Sequence, residues 1–387
     1  MVVRKKDVRI MIICTLLMIG LIKCSFFSNT VYRAYSCVIL GALFARTCLS
    51  AGRIRRNVCA LLLGGAIAFS VIRYYAGITS IFLSITYFFQ YVTPFFVCDY
   101  LVRHYGLKKM VQGLLGATVF ITVIMDASVF LGLDVDATHY QNLISYFFGN
   151  KFMVAYLHMQ ILGIYGEYLY LKKGCLGERE RVKLLVVGVY SIFLCLKVGC
   201  STGIVGNLIV AILLVVPMKK NVIELLSSRK FIMIFLVVTN IALVGSDFLV
   251  NVPVFKYFIE NVLHESITLT GRYKIYAMLP DLFKEQLLFG YGYNRDIFAN
   301  LIGYGNAQNG ILQYMIDCGL VGTTLFVLNW MNSMKGAQSR QEVSWPLVAA
   351  VYGFAICGLV EVCLKLNFIV LLAMIYSTRV LSLADQD

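Results

Sequence analysis

Charge is scarce in this chain. Asp, Glu, Lys and Arg together make up 14% of its 387 residues, against 60% hydrophobic residues and a mean hydropathy of +0.80. Soluble domains carry roughly 25% charged residues, so that class is excluded. The 12 cysteines form no CxxC pair and most fall inside apolar runs. That is the pattern of small buried hydrophobes, not of metal ligands or a disulfide framework. Short alternating segments of the kind that build a membrane β-barrel are missing. So is a small-residue cleavage site after the first apolar run, Val8–Phe27, which therefore reads as a span. No clear internal repeat appears, and few spans are broken by Pro or Gly, two devices on which secondary transporters rely.

What is there is a succession of apolar runs of about twenty residues, each long enough to cross a hydrocarbon core of roughly 30 Å. The expected class is an all-α polytopic membrane protein, a single integral membrane domain over 1–387. The net charge of +14 is distributed in short clusters between the runs, as the positive-inside bias requires, and so does not imply nucleic acid. Placing the clusters at 53–56, 103–109, 172–183 and 219–230 in the cytoplasm gives about twelve spans. Their approximate bounds are 9–27, 31–50, 58–75, 78–101, 110–132, 152–171, 184–199, 202–217, 231–249, 309–331, 345–363 and 366–382. Both termini are then cytoplasmic.

One interval stands apart. Residues 251–308 form a polar stretch of roughly sixty residues, which the topology places outside, and loops that long usually carry function. Apolar residues recur at helical spacing over 254–266 and 272–288. Thr270 can cap the second helix, and Pro280 is expected to kink or divide it. The loop's charges cancel: Lys256, Arg272, Lys274, Lys284 and Arg295 against Glu260, Glu265, Asp281, Glu285 and Asp296. Individual cations therefore matter more than a patch. Arg272 follows Gly271 at a helix start, where free N–H groups favour an anion and a guanidinium adds a fork suited to phosphate oxygens. An ion pair with Glu265 or a lipid headgroup is the structural alternative. No DxD-like pair is present, so no metal is expected at this loop.

Gly290-Tyr291-Gly292 lacks the threonine of a potassium filter, Leu288 standing in its place, and reads as a glycine turn ending a helix. Asn306, Gln308 and Asn309 cluster where the next span begins. Their amides suit sugar hydroxyls and equally suit helix capping. Tyr273, Tyr276, Tyr291, Tyr293 and Tyr304 supply rings for sugar stacking or for packing. Within the spans, Asp126, His158, Glu167, Glu361 and Lys365 mark costly positions. Glu167, near the inner face, is expected to snorkel.

Taken together, Thr270-Gly271-Arg272, Tyr276, Gly290-Tyr291-Gly292, Asn306-Ala307-Gln308-Asn309-Gly310, Gly319 and Gly322 resemble the O-antigen ligase/polymerase superfamily. The nearest branch is the Wzy-type capsular and exopolysaccharide polymerases of Gram-positive bacteria. Gly149-Asn150-Lys151-Phe152 and Ser201-Thr202-Gly203 are similar to two further family motifs, so the resemblance covers 145–322. It implies a GT-C-like glycosyltransferase that joins undecaprenyl-diphosphate-linked repeat units at the outer face of the bacterial cytoplasmic membrane. Neither a cofactor nor a metal is implied. The implied partners are the lipid-linked glycans, the bilayer and, as candidates, the flippase and chain-length regulator of the same pathway.

By that resemblance Arg272 grips the diphosphate. Gln308 occupies the position of the ligases' histidine, where it cannot act as a base. Asn150, Lys151, Ser201, Thr202, Tyr276, Arg295 and Asn309 are candidate substrate contacts. Ser201 runs directly into Thr202 without the family's intervening arginine, a loss that Lys151 or Lys197 could offset. The general base stays unassigned, with His264, Glu265 and Asp281 as loop candidates. A ligase and a transporter of lipid-linked sugars are the alternatives.

Overall fold

The computed structural model describes residues 5–48, 53–74, 78–133, 144–244, 272–295, 297–303, 305–339 and 341–384. A helix occupies most of the described part of each apolar segment named above. In chain order they are α1 (Lys5–Leu21), α2 (Asn29–Cys48), the short α3 (Arg53–Arg56), α4 (Val58–Tyr74), α5 (Ile78–Tyr105), α6 (Leu107–Phe130) and α7 (Lys151–Lys173). Then come α8 (Glu178–Lys197), α9 (Ser201–Val215), α10 (Lys220–Leu226) and α11 (Arg229–Val244). Beyond the polar interval lie α12 (Arg272–Gln286), α13 (Ile297–Ile302), α14 (Gly310–Ser339), α15 (Gln341–Val360) and α16 (Leu366–Ala384). A two-residue hairpin, β1 (Ser145–Tyr146) with β2 (Gly149–Asn150), leads into α7.

Three stretches are long and apolar enough to cross a membrane: Ser80–Tyr105, Leu107–Phe130 and Gly310–Gln338. Several shorter apolar helices accompany them. Apolar rows point outward from the bundle, as a lipid-facing surface requires: Val119, Phe120 and Val123 on α6, and Val182, Val186, Val189 and Phe193 on α8. Elsewhere helices meet through small residues, such as Gly163 of α7 against Ala350 of α15, and Gly188 of α8 against Ala211 of α9. Without water to drive apolar faces together, such close approach is what associates helices in lipid. The centre of the bundle is aromatic. Tyr314 stacks on Phe326 at 4.1 Å, and Trp330 meets Phe368 edge-on at 4.7 Å.

The structure departs from the sequence reading in four places. α1 ends at Leu21 and α2 begins at Asn29, so Lys23 lies in a turn that the sequence reading had placed within the first span. α12 is one helix that contains Pro280, so of the two expected effects of this proline, a kink or a division, the division does not occur. Pro280 is exposed, while Ile275, Leu279 and Leu282 on the other side pack into a small apolar core with Phe298 and Ile316. That packing holds both halves of the helix together. α14 is interrupted at Gly319 (φ 65°, ψ −166°), where an unbroken span was expected. Finally, Glu167 does not snorkel. It is fully buried, and neither carboxylate oxygen has a hydrogen-bond partner among the described residues. The segment 254–266 and Thr270 lie outside the described residues.

Candidate functional site

The interruption in α14 organises the site. Breaking the helix at Gly319 frees the carbonyls of the preceding turn, and the chain after α12 pairs with them. The Tyr291 N–H donates to the Ile316 carbonyl at 2.7 Å, and the Gly292 N–H to that of Asp317 at 2.9 Å. In return the Leu320 and Val321 N–H groups donate to the Leu287 and Leu288 carbonyls at 2.8 and 3.1 Å. Gly290 (φ 65°) and Gly319 face each other across this junction. A Cβ on Gly290 would lie 2.5 Å from the Gly319 nitrogen and the Ile316 oxygen. The expected helix-ending turn is present, since the Gly290 N–H closes on the Gln286 carbonyl at 3.1 Å. Its docking on α14 is the part that sequence does not show.

The docked segment delivers Tyr293 into the bundle. Its backbone N–H donates to Ser70 Oγ of α4 at 3.1 Å, and its hydroxyl lies 2.6 Å from that of Tyr91 on α5. Tyr314 of α14 donates to Tyr91 at 2.9 Å. Burial, and then the adjacent Tyr91 phenol, hold the Tyr293 hydroxyl protonated well above its ordinary range.

Tyr293 forms part of the wall of a cavity of about 310 Å³. Its basic lining is Lys23, Arg33 and Lys365, with no carboxylate among the described lining residues. Tyr32, Tyr87, Tyr156 and Tyr293 supply rings, and Asn29, Gln90, Asn294 and Asn367 supply amides. They come together from six places: the α1–α2 turn, the start of α2, the first half of α5, the start of α7, the docked segment, and the α15–α16 turn with the first residues of α16. Gln90 stands 12 residues into α5, about 18 Å along the helix at 1.5 Å per residue, so the cavity dips well into the bundle.

Local bonds fix its rim. Lys23 Nζ donates to Asn29 Oδ1 at 2.7 Å. Tyr32 donates to the Leu21 carbonyl at 2.8 Å and accepts from Gln90 Nε2 at 2.9 Å. Partial burial, and then the charge of Arg33, lower the Lys23 pKa from its ordinary value. Two cations forced together in a partly dry recess are a receptor for an anion, since an anion relieves both their repulsion and their desolvation. The arrangement can therefore hold a phosphate-bearing group beside a sugar-sized polar surface.

The structure divides the residues expected from sequence. Asn150 caps α7, its side chain accepting the Phe152 N–H at 3.1 Å. Lys151 donates to the Gly199 carbonyl at 3.0 Å, which brings the Gly149–Phe152 motif against the turn carrying Ser201 and Thr202. That junction adjoins the cavity through Met153 and Tyr156. Asn309 is fully buried and caps α14 through the Leu312 N–H at 2.9 Å, while its amide donates to Asn240 and to the Leu359 carbonyl. Of its two anticipated roles, the structure displays capping.

Gln308 (φ 48°) donates its N–H to Asn306 Oδ1 and is not among the described cavity-lining residues. Arg295 is exposed beside Asn294, and Tyr276 packs against the α12 core. Asp281 pairs with Lys284 at 3.1 Å on the exposed face of α12. Arg272 is the first residue of α12. His264 and Glu265 lie outside the described residues. Away from the cavity, Asp126 and His158 meet at 3.2 Å, with Tyr190 on the carboxylate and Ser191 on the other ring nitrogen, tying α6, α7 and α8 together.

Sequence reasoning missed Lys23, Arg33 and Lys365 as a group. Each carries a signal: Lys365 stands out as a costly position within a span, and in the topology expected from the sequence Lys23 and Arg33 fall at the outer ends of the first two spans, against the positive-inside bias. Compared with protein-family models, curated proteins and solved structures, the chain matches none.

Proposed function

We propose that this chain is a polysaccharide polymerase that joins undecaprenyl-diphosphate-linked repeat units at the outer face of the bacterial cytoplasmic membrane. In this reading the bundle is a twelve-span, GT-C-like enzyme with both termini cytoplasmic, and the 310 Å³ cavity opens outward. The observation that carries it is the cavity lining: Lys23, Arg33 and Lys365 are its charged members among the described residues, set among tyrosines and amides. A diphosphate leaving group gains charge as its bond to sugar breaks, so preorganised cations stabilise the transition state more than the ground state. Amides that both donate and accept, and tyrosine faces, suit glycan hydroxyls and ring faces. In this reading Arg272, the first residue of α12, serves as a further cation toward the diphosphate, as the family resemblance implies.

The test is the lipid-linked glycan profile of a deletion strain. A polymerase leaves single repeat units on the carrier, and restoring the chain restores the polymer. Full-length chains on the carrier would mark a ligase, and an unchanged profile would reject both.

A further inference from the structure

A second, smaller chamber of about 10 Å³ lies against the cavity, and the two share Tyr293, Val362 and Lys365. The remaining walls of the chamber are Gly310, Gln313, Tyr314, Asp317 and Leu364. That is room for about one water or one hydroxyl oxygen. Asp317 is almost fully buried at 1% exposure, and Gln313 Nε2 donates to its Oδ1 at 2.8 Å. Gln313 is itself locked, accepting the Ala307 N–H at 2.7 Å. The Asp317 carbonyl is the one that receives Gly292, so the docking that seats Tyr293 also fixes the turn carrying the acid. A carboxylate so placed is costly to bury, and its position is determined by α14 and by the docked segment alike.

We infer that Asp317 is the general base of the proposed transfer, with the small chamber receiving the acceptor hydroxyl. This rests on the polymerase reading and supplies the base that the sequence leaves unassigned. The acceptor O–H bond breaks and its proton passes to the Asp317 carboxylate, while the acceptor oxygen bonds to the donor's anomeric carbon. The bond from that carbon to the diphosphate oxygen breaks, and its electron pair leaves with the diphosphate, held by Lys23, Arg33 and Lys365. Asp317 then returns its proton to water or to the departed diphosphate. The titratable groups facing Asp317 include Tyr314 and Cys318 on its own helix, Tyr293 on the docked segment and Lys365 on the α15–α16 turn.

The experiment measures polymer formation by purified enzyme from lipid-linked repeat units across pH, with donor-lipid binding measured separately. Wild type should gain rate with rising pH as the acid ionises. Asp317→Asn keeps the shape of the side chain and an acceptor for Gln313. It should lose about 10²–10⁴ in rate, the span of general base catalysis, and lose the rising limb while still binding donor lipid. Asp317→Glu should keep a rising limb with a displaced midpoint, which tests the role even if the asparagine variant fails to accumulate. Wild-type rate in Asp317→Asn, or a profile in Asp317→Glu identical to wild type, overturns the assignment. Failure of wild type to form polymer instead overturns the polymerase reading itself.

Discussion

Replacing Gly290 with alanine should undock the segment that carries Tyr293 without unfolding the bundle. A Cβ there would stand 2.5 Å from the Gly319 nitrogen and the Ile316 oxygen, both of them backbone atoms. Neither can swing away as a side-chain tip would. The positive φ adds a cost of about 1–2 kcal/mol for an L-residue. Four backbone hydrogen bonds join the segment to α14, each contributing about 0.5–1.5 kcal/mol. Losing them together with the strain shifts docking by about 3–8 kcal/mol, or on the order of 10²–10⁶-fold. The rest of α14 is held independently by Phe326 and Trp330 in the aromatic centre, so the helix itself should persist.

Cys318 provides the readout. It is 2% exposed beneath the docked segment, its Sγ 3.5 Å from the Ser70 hydroxyl that also receives the Tyr293 N–H. A maleimide applied to purified protein, followed by peptide mass mapping, should spare Cys318 in wild type and modify it in Gly290→Ala. Polymer should be lost in parallel. Gly65→Ala is the control, because a Cβ there meets nothing within 4 Å and a helix interior gains about 0.8–1.0 kcal/mol from the change. A protected Cys318 with normal polymer in Gly290→Ala would refute the account of the junction.

Arg272→Ala should abolish detectable polymer, on the order of a hundred- to a thousandfold in rate, with Arg272→Lys retaining a small fraction. Wild-type activity should survive excess EDTA, and either full activity in the alanine variant or inhibition reversed by magnesium would reject that role. Lys365→Met should weaken donor-lipid binding by about 1.5–3 kcal/mol, the range for a charge-assisted bond, measured by titration with labelled carrier. Because burial and Arg33 lower the Lys23 pKa, its charge is lost as pH rises through a value below that of ordinary lysine. Donor affinity should therefore fall on the alkaline side, and Lys23→Gln should flatten that fall; an unchanged profile would remove Lys23 from the anion site. Cys175 is exposed in the proposed cytoplasmic loop after α7. An impermeant thiol reagent should spare it in intact cells and label it after lysis, while a cysteine placed at Ser266 should label from outside.

The helices were legible because lipid imposes a one-dimensional rule. A run of about twenty apolar residues must satisfy its own backbone, and only a helix does so. The same locality made the Asn150 cap and the Gly290 turn readable, since the partners of each are within a few residues. Lys23, Arg33 and Lys365 were not readable as a set. They are spread over 342 positions, and nothing in their immediate neighbours says that their helix ends converge. Asp317 was hidden for a related reason. In sequence it is one acid within an apolar stretch, and only the break at Gly319, with the segment docked across it, creates a chamber beside it. What the sequence by itself determined was the class, the helices and the turns, through periodicity and local backbone chemistry. Which side chains share a cavity was decided by tertiary packing, because that depends on how distant helices meet and where one of them is interrupted.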